Sequence, residues 1–311
     1  MFEEAIRAIR EYDTIIIHRH RNPDGDAMGS QAGLYNIIKD NYPQKAVYMV
    51  GDSTARYAFI AGQPMDEIPD SLYQNALAVI LDTSAEALIS DGRYTKASKT
   101  LRIDHHLFIS RIADIEIVDP SYESCAGLVT QLAIECALKI SSKAASALFA
   151  GTVTDSGRFR FDCTSAGTFR RVSFLLQAGI DTNAIYSRLY TTSIEDLRLK
   201  AKFVEKIRFT EKNVGYIYTT AEELKQLGIS AYTATRGYVN TMADLEGVKV
   251  WAAFAEGDDG ILCELRSSGP DINPIAVKYG GGGHKKASGA TVRDRDTALA
   301  MLRDLDEISD K

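Results

Sequence analysis

Of the five histidines in this 311-residue chain, four fall in two short clusters rich in aspartate. The first cluster, HRHRNPDGDAMGS over residues 18–30, sets His20, Asp24 and Asp26 in an H-x3-D-x-D spacing directly after a β-branched run. Such a turn can aim one imidazole and two carboxylates to one side. Imidazole with hard carboxylate oxygens suits Mn2+, Mg2+, Fe2+ or Co2+. Asp24 and Asp26 are equally of the type that closes turns and caps helices. His18 shares a strand face with His20 and reads as a packed, supporting residue. The second cluster, Asp104-His105-His106, closes another apolar run. Neighbours on a strand or tight turn point apart, so one ring can ligate metal while the other meets substrate. Asp82, at the end of AVILD, reads either as a site residue or as the cap of the next segment. Asp155, in GTVTDSGRF, reads as a metal ligand with Gly157 permitting close backbone approach, or as part of a polar turn between helices.

The fifth histidine, His284, follows four glycines in YGGGGHKKASG. Gly280, Gly281, Gly282 and Gly283 let backbone N–H groups crowd around an anion. Lys285 and Lys286 add donors, and LRSS at residues 265–268 precedes the run, so a phosphate pocket is one reading and a mobile surface loop the other. Counted together, His20, Asp24, Asp26, Asp82, His105 and Asp155 supply enough ligands for two metal ions, with Asp82 free to bridge them.

These residues need elements that bring strand ends together. Short apolar runs at residues 14–17, 46–50, 78–81, 101–103 and 115–118 read as buried strands. They alternate with an apolar-periodic stretch at 27–38, and helical patterns follow at 127–140, 143–153 and 168–178. That order predicts an α/β fold with a mostly parallel sheet flanked by helices, in which ligands bind beyond the carboxyl ends of strands. Residues 193–207 read as a charged amphipathic connecting helix. Beyond it, strand patterns at 214–219, 248–255 and 261–265, the glycine run and a C-terminal helix near 296–305 predict a smaller α/β domain. The division expected is therefore 1–190, a connecting helix at 191–208, and 209–311, with the active site in the cleft between the domains.

Composition narrows the function. Apolar residues make up 45% and charged residues 25% of the chain, and the net charge is −6. Such a charge argues against a protein that holds long DNA or RNA, whose affinity comes from many Lys and Arg contacts to phosphate. It admits a short phosphorylated substrate in a local pocket. Four scattered cysteines with no CxxC pair fit a reducing cytoplasm rather than a disulfide framework. The N-terminal segment lacks the apolar core of a signal peptide. No apolar run approaches the ~20 residues of a membrane span.

In the order and spacing of these motifs the chain resembles the DHH family of phosphoesterases, and within it the bacterial nanoRNase and pAp-phosphatase branch. That branch carries a DHH domain followed by a DHH-associated C-terminal domain. The resemblance covers essentially the whole chain. It implies two divalent ions, Mn2+ foremost with Mg2+, Co2+ or Fe2+ as substitutes. One would be held by His20, Asp24 and Asp82, the other by Asp26, Asp82, His105 and Asp155. It implies Asp104 as a residue that orients a neighbour, and His106 beside the scissile phosphate as hydrogen-bond donor or acid. Arg266, Ser267 and His284, with the backbone of Gly280, Gly281, Gly282 and Gly283, would bind substrate from the second domain, and Arg158 would reach the same substrate. One departure is visible: SCAG at residues 124–127 stands where small hydroxyl residues are expected.

Two metals ~3.5–4 Å apart can clamp the attacking and leaving oxygens of an in-line displacement. Domain closure, with the connecting helix as hinge, would govern binding and water exclusion. The activity implied is metal-dependent hydrolysis of short oligoribonucleotides and dephosphorylation of pAp (adenosine 3′,5′-bisphosphate). The alternatives are a phosphodiesterase for linear or cyclic dinucleotides (pApA, pGpG, c-di-AMP) and a non-catalytic nucleotide sensor. A pyrophosphatase is disfavoured by the GGGGH loop. The expected partners are these short substrates, without long nucleic acid or membrane, and a homodimer is compatible with the sequence.

Overall fold

The computed structural model describes residues 1–309, which form two compact units that divide between Thr191 and Thr192. The first unit opens with α1 (Glu3–Glu11), β1 (Thr14–His18), α2 (Gly25–Asn41), β2 (Ala46–Met49) and the short α3 (Ala58–Ala61). Three more strands follow: β3 (Ala76–Leu81), β4 (Lys99–Asp104) and β5 (Ile115–Val118). Four helices close the unit: α4 (Cys125–Glu135), α5 (Ser142–Asp155), α6 (Ala166–Gln177) and α7 (Thr182–Tyr190). The strands form one sheet in the order β2-β1-β3-β4-β5, and every pair is parallel. All six residues of β3 are buried, as a parallel strand covered on both faces must be. Ile15, Ile17, Leu77, Val79 and Leu81 face one core with α2, α4 and α5, while Ile16 and Ala76 pack on the other side with Val50 and Tyr73.

His18 lies on that second side. It is fully buried, with its ring centroid 5.8 Å from that of Tyr73 and 6.2 Å from that of Tyr94. It packs between tyrosines, and burial pushes its pKa down to about 4.

The placement of α2 follows from a repeat of glycine at every fourth position. An added Cβ would stand 2.4 Å from Thr154 Oγ1 at Gly25, 2.6 Å from the Ala147 carbonyl at Gly29, and 2.4 Å from Leu148 Cδ2 at Gly33. These three positions fall on one helix face, so α2 and α5 pack closely, backbone against backbone at Gly29 and α2 backbone against α5 side chains at Gly25 and Gly33. The helix expected over 127–140 ends at Glu135, because Ala137 adopts a left-handed φ of 50°. Its N–H bonds the Ile134 carbonyl and the Leu138 N–H bonds that of Ala133. This is a helix stop that glycine normally occupies, and so it carries no glycine signal.

The second unit begins with α8 (Ile194–Glu205), followed by β6 (Arg208–Phe209), β7 (Gly215–Thr219), α9 (Ala221–Leu227) and α10 (Ala231–Arg236). Then come β8 (Val250–Gly257), β9 (Gly260–Ser267), α11 (Asn273–Lys278), β10 (Gly282–His284), β11 (Ala287–Val292) and α12 (Arg295–Ile308). Its six-stranded sheet runs β10-β11-β9-β8-β7-β6 and is antiparallel except where β7 meets β8. Along β8 the side chains alternate: Val250, Ala252 and Phe254 enter one core, Trp251, Ala253 and Ala255 the other. Phe203 of α8 stacks on Tyr238 at 4.1 Å between centroids. Among the described residues no helix is long and apolar enough to cross a membrane.

The glycine seam yields a stability prediction. Gly29→Ala forces a methyl into backbone atoms that cannot rotate away, and should cost about 1–3 kcal/mol, read as a lower midpoint in urea unfolding. Gly92, with nothing within 4 Å of an added Cβ, is the control, and Gly92→Ala should stay within about 0.5 kcal/mol of the parent. Equal midpoints for the two variants would show that the seam does not hold the helices.

Candidate metal centre

Three neighbouring strands, β1, β3 and β4, deliver residues to one place at their carboxyl ends. His20 follows β1, Asp82 follows β3, and Asp104, His105 and His106 close β4. Helix α2 contributes Asp24 as its N-cap and Asp26 in its first turn, and Asp155 is the last residue of α5. The cap reading and the site reading of Asp24 both hold. Its Oδ1 accepts the N–H groups of Asp26 and Ala27 at 3.0 Å and also lies 3.8 Å from His20 Nε2.

Asp82 stands at the centre. It is 2% exposed and holds a left-handed φ of 51°, a costly backbone for a residue with a side chain. It caps no helix. One carboxylate oxygen, Oδ2, lies 3.5 Å from His20 Nε2, and the other, Oδ1, lies 3.5 Å from His105 Nε2. Among the described residues Oδ1 is a buried oxygen with no hydrogen bond. His105 Nε2 also lies 3.3 Å from Asp155 and 3.9 Å from Asp26. Three overlapping groups arise, each with ligand atoms within 4.8 Å of one another: His20, Asp24 and Asp82; Asp26, His105 and Asp155; and Asp82, His105 and His106. The six residues counted together in the sequence are thus in one cluster.

The imidazoles are oriented from behind. His20 Nδ1 is 2.8 Å from the Arg21 carbonyl and His105 Nδ1 is 3.4 Å from that of Tyr122. A carbonyl takes only a donor, so each ring carries a proton at Nδ1 and turns its Nε2 to the carboxylates, the usual arrangement of a metal-ligating histidine. With protein groups alone the cluster is electrostatically frustrated. Burial, together with Asp82, Asp155 and Asp24, raises the Asp26 pKa well above the carboxylate range against the pull of the Ala126 amide. Burial disfavours charge on His20, yet Asp24 and Asp82 push its pKa up to about 11. Asp155 ends a helix, where the backbone dipole already disfavours a negative charge. The donor set, the orphaned Asp82 oxygen and the crowded carboxylates fit divalent cations.

Asp26 has a support that its spacing does not reveal. Its Oδ2 accepts the Cys125 N–H at 2.7 Å and its Oδ1 the Ala126 N–H at 2.9 Å. Both amides open α4, whose N-cap is Ser124. Backbone donors do this work, so the departure at SCAG leaves the support intact. Asp104 lies outside the carboxylate cluster. Fully buried, it bonds Arg102 Nη2 at 2.5 Å, while His106 Nδ1 donates to its Oδ1 at 2.7 Å. Burial opposes its charge, but His106 and Arg102 hold its pKa down to about 2. Burial likewise opposes charge on His106, and Asp104 and Asp82 push that pKa up to about 9. Arg102 was not legible as part of the site; its only signal is an arginine inside an apolar strand, two positions before an aspartate.

The remaining expected residues are not among the six of the cluster. Arg158 is exposed, with its guanidinium 4.8 Å over the ring of Tyr190. The close approach permitted by Gly157 is made by the ring of Phe161. In the second unit, Arg266 bonds Glu264 and the Leu265 carbonyl, and Ser267 Oγ accepts the Gly269 N–H. Ala287 faces Arg266 on one side and His284 on the other, so a small residue separates those two across the sheet. Two of the four glycines are spent on a helix end: the Gly280 N–H bonds Val277 and the Gly281 N–H bonds Ala276, stopping α11. Gly282 and Gly283 belong to strand β10. The run is therefore a helix stop and a hairpin arm, not an open cradle of four amides.

Residues 14–152 match the DHH family, N-terminal domain, and residues 214–310 the DHHA1 domain. The chain is 35% identical over 99% of its length, and 98% of the relative's, to the bifunctional oligoribonuclease and PAP phosphatase NrnA of Bacillus subtilis. The chain belongs to the DHH family. A further relative with the same name, from Mycoplasma pneumoniae, is 36% identical over 97% of this chain and 94% of its own. Among solved structures, an exopolyphosphatase-related protein from Bacteroides fragilis superposes with a TM-score of 0.88 at 27% identity, covering 98% of this chain and 95% of that one. The DHH tripeptide is Asp104-His105-His106, and its three members divide as the geometry describes: one inward to Arg102, one to the carboxylates, one bonded to Asp104.

Asp82→Asn tests the centre. It removes one negative charge from a buried, like-charged group, so in chelator the variant should be at least as stable to heat as the parent. Its affinity for Mn2+ should fall more than about 10–100-fold by titration calorimetry. Unchanged Mn2+ affinity would remove Asp82 from the centre.

Proposed function

We propose that this protein is a divalent-metal-dependent phosphohydrolase that cleaves short oligoribonucleotides and dephosphorylates pAp. The observation that carries the reading is the Asp82 carboxylate facing His20 with one oxygen and His105 with the other, in a chain aligned end to end with relatives named for both activities. His20, Asp24 and Asp82 would hold one ion and Asp26, Asp82, His105 and Asp155 the other, with Mn2+ the ion we favour. Divalent ions in such a pair supply Lewis-acid stabilisation of phosphoryl oxygens and a nucleophile at neutral pH.

The protein's own groups do the rest. His106, bonded through Nδ1 to Asp104, keeps Nε2 protonated at neutral pH and delivers that proton to the leaving oxygen. Asp104, itself fixed by Arg102, sets the angle of that ring. Arg266, Ser267 and His284, with the backbone of Gly282 and Gly283, bind the substrate, and Arg158 meets its phosphate. The net charge of −6 repels long polyanions outside the site. Four free cysteines accord with a cytoplasmic setting.

The test is a turnover panel of pAp, pApA, pGpG, cyclic dinucleotides and RNA of two to five nucleotides. Dinucleotides and pAp should turn over fastest, activity should vanish on exhaustive chelation, and added Mn2+ should restore it. Activity that survives chelation overturns the reading. Asp104→Asn should lower kcat by about 10²–10⁴-fold with little change in KM, whereas Arg266→Gln should act chiefly on KM. An Asp104→Asn effect confined to KM would contradict the proton-delivery role.

A further inference from the structure

Several arginines of the first unit are already engaged with carboxylates: Arg19 pairs with Asp52, Arg93 with Asp91, Arg102 with Asp104 and Arg171 with Glu123. Arg56 and Arg158 differ. Among the described residues neither side chain makes a hydrogen bond or salt bridge; each is laid on a ring instead, Arg56 5.1 Å over Tyr57 and Arg158 4.8 Å over Tyr190. The two pairs are neighbours. Phe59, two residues beyond Tyr57, meets the guanidinium of Arg188, two residues before Tyr190. The segment bearing Arg56 is pinned there, because Arg188 of α7 stacks 4.6 Å over Phe59 and α3 packs on α2 and α5.

The backbone presenting Arg158 is unusual. Gly157, Arg158 and Phe159 hold successive left-handed φ values of 57°, 62° and 64°, and two side-chain-bearing residues in that region are costly. Phe159 is anchored between Phe149 and Phe169, with centroids 6.2 and 5.5 Å away. Strain held by packing beside a functional cluster marks a side chain whose position matters. Arg158 lies three residues beyond Asp155.

We propose that Arg56 and Arg158, each stacked on a tyrosine, with Arg158 three residues beyond Asp155, form a second phosphate subsite that grips the non-reacting phosphate of the substrate. A guanidinium on a ring is held in place by cation–π attraction while its N–H edge stays open for bidentate bonds to phosphate. Each tyrosine already has a guanidinium over its face, which argues for a phosphate rather than a stacked base. The ligands are those with a second phosphate: a nucleoside bisphosphate, or a 5′-phosphorylated short oligonucleotide. This rests on the phosphohydrolase reading above.

The experiment compares pAp with 3′-AMP and 5′-AMP, which carry one phosphate each, and pApA with ApA. In the double variant R56Q/R158Q, kcat/KM for pAp and pApA should fall about 10–100-fold, through KM. The fall for the singly phosphorylated or unphosphorylated partner should be several times smaller, so that selectivity drops at least about tenfold. R56K/R158K, which keeps charge but loses the fork, should lie between. Equal losses on both members of each pair, or no loss, overturn the subsite. Single R56Q repeats the comparison should the double variant unfold on heating earlier than the parent. If the parent turns over none of these compounds, the phosphohydrolase reading fails by itself. Binding of fluorescent pAp in chelator then decides the subsite, tenfold weaker in R56Q supporting it and equal binding overturning it.

Discussion

Four aspartates, Asp24, Asp26, Asp82 and Asp155, meet around His20 and His105, and their mutual repulsion in a partly buried site governs what surrounds them. Carboxylates withdrawn from water and set beside one another resist ionisation unless opposite charge or hydrogen-bond donors compensate. The protein supplies compensation in three forms. The amides at the start of α4 hold Asp26, those of α2 hold Asp24, and two imidazoles turn to the cluster. The amides are dipoles rather than full charges, and two imidazoles, even with His20 protonated, fall short of four carboxylates. The site therefore stabilises its carboxylates enough to fold and leaves a deficit of positive charge that divalent ions are suited to fill.

Geometry brings these groups together through two devices of different reach. Parallel pairing sets β1, β3 and β4 side by side with carboxyl ends at one edge, so residues after each strand are neighbours at a strand spacing of about 4.8 Å. The strands alone cannot supply Asp26 or Asp155. Those come from two helices whose glycine seam lets backbones touch, and Gly151 continues it, since a Cβ there would meet Asp26 Oδ1 at 2.9 Å. The seam that packs the core is the same contact that fixes the distance between the two helical ligand positions.

The parts legible in the sequence were those with a short-range signature. The strands near 14–17 and 115–118 and the helix near 143–153 follow from apolar pattern, and the site residues from rare histidines beside aspartates at strand ends. Long-range contacts left little trace. The amides on Asp26 belong to residues about a hundred positions away, and any side chain can bear an amide. Ala137 ends α4 in a conformation that alanine does not advertise. The four glycines show the converse: composition suggested an anion cradle, whereas the Gly280 and Gly281 amides close α11, and Gly282 and Gly283 lie in a hairpin strand. Glycine runs report close approach and unusual φ without saying which.

Asp82 and Asp104 show how local context divides one residue type between two tasks. Both stand at the carboxyl ends of adjacent strands in the same sheet, and both are buried. On β4 the residue two positions earlier, on the same strand face, is Arg102, which bonds Asp104 and also reaches Glu116. On β3 the corresponding residue is Ile80. Asp104 thus has its charge matched inside the protein and is left to hold His106, while Asp82 has no such cation and keeps one oxygen without a hydrogen bond. Exchanging the two contexts would move the charge deficit from one strand to the next. The arginine that looks out of place in an apolar strand is what separates the aspartate that orients a ring from the aspartate whose two oxygens face His20 and His105.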